Sequence, residues 1–179
     1  SSSSASSLAT PASSGVIYYV STNGGGRANG LSPETPKNDI QKVLNLIKEN
    51  NQNGAIVGVA EGNYLGSLGE GYIEISNWIT LEGGWNSDFT ERDPLKYQTK
   101  IEPTQEQLGK NTNKGVITLS GLDDINYNVK GTVKIDGFML NCGYENNYKP
   151  NNPDDPKNGC PSKAFETGRL IDDPASQPQ

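Results

Sequence analysis

The 179-residue chain has no histidine. The commonest general base near neutral pH, which is also the commonest neutral metal ligand, is therefore missing. Its two cysteines, Cys142 and Cys160, do not make a zinc set. Apolar residues are only 32% of the chain, and mean hydropathy is -0.67. An ordinary globular domain is nearer half apolar. No stretch approaches the ~20 apolar residues of a membrane span, so none is expected. Positive charge is short as well: 15 Lys and Arg against 21 Asp and Glu leave a net charge of -6. A pI near 4.7 argues against nucleic acid and against anionic membrane surfaces as partners. The chain starts on serines without Met and has no signal-peptide pattern, so a mature or processed chain is expected. At this length one domain is expected.

What is present is a set of short β-rich runs. Ile56, Ile79, Ile101, Ile117 and Ile135 each sit in a small apolar run, at steps of roughly 23, 22, 16 and 18 residues. A repeat of that length suits a solenoid, whose thin core folds with fewer apolar residues. Residues 1–15 are almost entirely Ser, Ala, Thr, Pro and Gly. Such a segment buries too little to offset its ordering entropy and reads as a flexible tether, plain or glycosylated. Val16 to Ser21 reads as a first strand. Gly24-Gly25-Gly26 lacks the Lys-Ser/Thr of a phosphate-binding loop. Asn38 or Asp39 then caps a helix running to about Asn50. Ile40, Val43, Leu44 and Ile47 form one apolar stripe along it.

Further strands are expected at Ala55–Val59, Tyr72–Ile75, Trp78–Leu81, Thr99–Ile101, Val116–Leu119 and Val133–Ile135. Tyr72–Ile75 and Trp78–Leu81 are separated only by Ser76-Asn77, as two faces of one rung meeting at a corner would be. Gly83-Gly84 is expected to end its strand in a sharp turn, with Trp85 and Phe89 tucked beneath it. One more strand is expected within Ala164–Ile171.

The stretch Ile79 to Pro94, with Gly83-Gly84-Trp85, Phe89 and Arg92-Asp93, resembles a "GG(Y/W)-x-x-x-F-x-x-RD" segment. That segment belongs to bacterial cell-surface right-handed parallel β-helix proteins, the pectin-lyase-like group with a DUF1565-type N-terminal region. Three other stretches fit the same family in order. Ile17 to Ser21, with the loop through Ser32-Pro33-Glu34-Thr35-Pro36, looks like the first strand of that fold. Ala55-Ile56-Val57-Gly58-Val59-Ala60-Glu61-Gly62-Asn63-Tyr64 looks like its "V-x-V-A-x-G-x-Y" first rung. Val133-Lys134-Ile135-Asp136-Gly137-Phe138 looks like its "V-x-I-D-G-F" rung. The resemblance covers about residues 16 to 140. It implies fold far more than activity, because lyases, hydrolases, adhesins and fibres share that fold. It gives Arg92-Asp93 the role of an ion pair or corner lock; Asp136, in its IDGF stretch, is expected to make a turn hydrogen bond rather than act as an acid.

Candidate chemistry falls on acidic loops and aromatic side chains. Asp154 and Asp155, in the Asn- and Asp-rich stretch 146–158, suit calcium, which takes several carboxylate and carbonyl oxygens from loops. The bland alternative is a solvated acidic loop, and no EF-hand or RTX spacing is present. Trp85, Tyr144 and Tyr148 are candidates for a sugar-stacking platform. Lyases on this fold use a Lys or Arg base, for which Arg92, Lys100, Lys114, Lys130 and Lys134 qualify by residue type alone. No catalytic residue is assigned. Cys142 and Cys160 bracket a long loop, and a disulfide there would add about 3 kcal/mol in the chain-entropy model and suit an extracellular setting. Two free thiols are the alternative.

The expected architecture is mainly β: a short right-handed parallel β-helix with an N-terminal amphipathic capping helix. Residues 1–15 form the tether, 16–54 the first strand and cap, 55–140 the rungs, and 141–179 an Asn/Pro/Asp-rich loop and tail. No amphipathic cap is visible after Phe138. Either the chain continues as a longer β-helix or another chain covers that end. The expected function is a non-enzymatic extracellular structural or adhesive protein that self-associates, with head-to-tail filaments as one form. The alternative is a carbohydrate-active or glycan-binding domain whose partner is a polysaccharide. No cofactor is expected beyond the calcium considered above.

Overall fold

The computed structural model describes residues 15–104, 106, 116–122, 131–141 and 165–167. Among the described residues there are ten strands: β1 Ile17–Val20, β2 Ile56–Ala60, β3 Gly62–Tyr64, β4 Ile73–Ile75, β5 Thr80–Trp85, β6 Thr99–Ile101, β7 Ile117–Leu119, β8 Lys134–Asp136, β9 Phe138–Leu140 and β10 Phe165–Thr167. One α-helix, α1 Ile40–Glu49, lies between β1 and β2. The fold is mainly β, and every paired strand runs parallel to its neighbours.

Three sheets share the strands in rotation. The orders are β1-β2-β5-β8, β3-β6-β9 and β10-β7-β4, so from β2 onward each sheet takes every third strand. Register is kept between turns: Tyr18, Val57, Leu81 and Ile135 stand in one row, and Tyr64, Ile101 and Leu140 in another. These rows point inward and build the core, joined by Ile73, Ile75 and Ile117. Alternate residues point outward, as the twofold period of a strand requires.

The helix forms where its cap and stripe place it. Asp39 accepts from the N–H groups of Gln41 and Lys42, and Ile40, Val43, Leu44 and Ile47 are buried. Lys42, Lys48 and Glu49 are exposed. Asn51, at φ 49, turns the chain out of the helix, and Gly54 N–H then bonds Trp78 O at 2.6 Å.

Three expectations need correction. The isoleucine steps do not mark successive turns. Ile101, Ile117 and Ile135 lie on three different sheets. Roughly 24 residues separate the paired Val57 and Leu81, and roughly 54 separate the paired Leu81 and Ile135. The difference is the polar excursions between strands. Second, Gly83-Gly84 does not end its strand, because β5 runs on to Trp85 with a register shift opposite Gly58 to Ala60. Gly83 is needed for proximity: a Cβ there would lie 2.5 Å from Gly137 O, and Gly137 at φ +81 would meet Gly83 O in the same way. Third, β3 and β9 are strands in their own right, although the pattern did not predict them. The corner between β4 and β5 is as expected, since the two lie on different sheets.

Buried polar groups tie neighbouring segments together. Thr99 is 1% exposed; its hydroxyl accepts from Gly84 N–H at 2.9 Å and reaches Ala60 O at 3.4 Å. Asn53 Oδ1 accepts from Asn77 Nδ2 and from Trp78 N–H, so two asparagines stack at one corner.

Candidate functional site

Two clefts of about 240 Å³ each flank α1. One is lined by Thr22, Asp39, Ile40, Asn63 and Leu65, the other by Gln41, Asn45, Lys48, Tyr72 and Glu74. Between them the 65–72 loop is held by its own backbone: Ser67 N–H bonds Tyr72 O at 2.6 Å and Gly71 N–H bonds Leu65 O at 2.8 Å. It carries Leu68 into solvent, 83% exposed and at φ 55.

The first cleft borders an open strand edge. Gly62 N–H bonds Gln98 O and Tyr64 O accepts from Glu102 N–H, so both residues face β6. Asn63 between them is exposed and turns its N–H and C=O away from β6. Tyr64 itself is buried, with its hydroxyl donating to Ala60 O at 2.8 Å, and burial raises its pKa. A phenol so placed braces the β2–β3 corner and stays protonated.

The second cleft borders an edge that is occupied. Gln41 Oε1 accepts from Glu74 N–H at 2.9 Å, and Gln41 Nε2 donates to Glu74 O at 3.3 Å. Ser120 donates to the Glu74 carboxylate at 2.6 Å. Lys48 stands in the last turn of α1, where a cation suits the helix dipole.

Trp85 lies elsewhere, on the outer face of the first sheet. A Cβ on Gly58 would touch its indole at 3.4 Å, so the ring packs over that glycine. The ring is partly buried, and its Nε1 has no hydrogen-bond partner among the described residues. Phe89 sits edge-on to Tyr19, centroids 5.0 Å apart, on the same excursion. Arg92 fixes that excursion: Nε donates to Gly83 O at 2.9 Å, and Nη2 pairs with Asp136 at 2.7 Å. The hydrogen bond and charge of Arg92 hold the Asp136 carboxyl below its ordinary range. The RD and IDGF stretches, separate in sequence, therefore meet in one ion pair.

Lys100 and Lys134 lie on outward rows of two different sheets. Cys142, Tyr144, Tyr148, Asp154, Asp155 and Cys160, with Lys114 and Lys130, lie outside the described residues. Among the described residues no group of three or more His, Cys, Asp or Glu side chains is placed to hold a metal ion. No helix among them is long and apolar enough to cross a membrane. Gln41, Asn63 and Tyr72 were not marked by sequence reasoning, although Gln41 is adjacent to the capping Asp39-Ile40 pair. Comparison with known proteins finds no matching family model, no matching curated protein and no matching solved structure.

Proposed function

We propose that the chain is a short right-handed parallel β-helix of the pectin-lyase-like kind, acting as a non-enzymatic extracellular structural or adhesive protein that self-associates. The observation that carries this reading is the rotation of β2 to β10 through three parallel sheets, with inward residues in register. In such a coil each turn adds one strand to every sheet and buries its neighbours. The α1 helix fits the cap such a coil needs. The polar groups with the clearest geometry serve the coil: Gln41 meets a strand edge, Thr99 ties two turns, and Arg92 fastens an excursion to β8. Self-association is supported by the far end, where β8 and β9 have no outer strand partner among the described residues. Open edges pair with other chains. Head-to-tail filaments require the end covered by α1 to make way, whereas contact between two far ends does not. The extracellular placement rests on the family resemblance and on the expected Cys142–Cys160 pairing.

Negative-stain electron microscopy, with light scattering across a concentration series, tests this on the native protein. Regular assemblies or a mass that climbs with concentration are expected. A monodisperse monomer at the highest attainable concentration sinks the self-association. Intact mass on the same sample reads the disulfide as a loss of about two daltons.

A second reading, glycan binding, is favoured by the cleft between α1 and β4. Its amide, hydroxyl, ammonium and aromatic groups suit a sugar unit, although about 240 Å³ falls below the ~300–1,000 Å³ of common small-molecule sites. Depletion of the protein by immobilised polygalacturonate would favour it. Neither depletion nor release of sugar would retire it.

A further inference from the structure

Three strands begin the three sheets at the α1 end: β1, β3 and β4. Each has an outer edge with which a foreign strand would pair if its backbone groups were free. The 30–37 segment takes up the edge of β1, with Tyr19 N–H bonded to Gly30 O at 2.7 Å and Lys37 N–H bonded to Tyr19 O at 2.9 Å. The edge of β4 is met differently. Ile73 N–H bonds Val116 O and Ile75 O accepts from Ser120 N–H, so both face β7 and Glu74 faces away. Its N–H and C=O both go to the Gln41 side chain. One carboxamide thus makes the two bonds that a neighbouring strand would make to Glu74. The groove around it is walled by Gln41, Asn45 and Lys48 on one side, and by Tyr72, Glu74 and Ser76, alternate residues about β4, on the other.

We propose that Gln41 guards the edge of β4: its carboxamide stands in for a strand and keeps a second copy of this chain from pairing at Glu74. The chain carries a matching element, since β3 exposes its own edge at Asn63 with no strand partner among the described residues. The guard operates whether or not the native protein self-associates at its far end.

The test compares wild type, Gln41→Ala and Gln41→Lys by light scattering over one concentration series, with circular dichroism on each. Both variants lose the carboxamide. Only Gln41→Ala leaves the edge uncharged, whereas a lysine beside an edge repels a second copy. Gln41→Ala should rise to about twice the wild-type mass or more, because an edge pair makes at least a dimer. Gln41→Lys should follow the wild-type curve. A Gln41→Ala curve that overlays wild type overturns the proposal. Equal association of both variants also overturns it, because the cause is then lost stability rather than an opened edge.

Discussion

Leu81 on β5 and Ile135 on β8 stand opposite each other in register and both turn inward. Leu81 is sealed at 0% exposure, and Ile135 is only partly buried. Their neighbours follow suit: Thr80 and Glu82 are partly covered, while Lys134 and Asp136 are exposed. The two side chains are nearly equal in hydrophobicity. They differ in what flanks them, since Leu81 has Val57 on one side and Ile135 on the other. Among the described residues Ile135 has a strand on one side only. Burial in a parallel sheet comes from having strands on both sides, so the same residue type carries more stability on an inner strand than on an edge strand.

Truncating the two members of that pair breaks the comparison most directly. Leu81→Ala should cost about 2–5 kcal/mol, while Ile135→Ala should cost about 1–2 kcal/mol, because less of its surface is withdrawn from water. Chemical denaturation of both variants reads the gap, and equal losses would mean that Ile135 is covered as completely as Leu81. The glycine contact between the same two strands comes next. Gly83→Ala drives a Cβ against the Gly137 carbonyl and should cost about 1–3 kcal/mol. Gly25→Ala meets nothing nearer than 3.6 Å and should stay within about 0.5 kcal/mol.

Asp39→Ala removes the helix cap and should cost about 1 kcal/mol, with amide exchange rising first in α1 rather than in β5 or β8. A small, pH-dependent effect belongs to Asp136→Asn. Arg92 lowers the pKa of Asp136 from its ordinary 3.8, so the pair's contribution is complete above that value and fades as pH falls through the lower folded value. Wild type and Asp136→Asn should therefore differ slightly in thermal melts near neutrality, with a gap that higher salt shrinks, and converge in acid. A gap that persists in acid would assign the effect to shape rather than charge.

The parts of the fold that announce themselves in sequence are those with a local cause. The bounds of α1 follow from the Asp39 cap and the stripe of Ile40 to Ile47, and β2, β4, β6, β7 and β8 follow from apolar runs. Strands β3 and β9 did not, because Gly62-Asn63-Tyr64 and Phe138-Met139-Leu140 become strands through pairing with the distant β6. The continuation of β5 through two glycines depends on Gly137, more than fifty residues away. Of the candidate site, Trp85 was visible as an aromatic but its seat on Gly58 was not, since nothing local pairs the two. Gln41 left no signal, because a polar residue beside an apolar stripe ordinarily faces water. The ion pair of Arg92 was legible as a role, whereas its partner came only with the register of β5 and β8.

The unequal chain lengths between paired strands also bear on the order of assembly. Joining β5 to β2 closes a loop of roughly 24 residues, and joining β8 to β5 closes one of roughly 54. The longer closure costs about 0.7 kcal/mol more in chain entropy. It also yields a smaller return, because its rows are sealed on one side only. We therefore expect the β2–β5 contact to form in the folding transition state and the β8 row to add later. Val57→Ala should then slow refolding, whereas Ile135→Val should mainly speed unfolding.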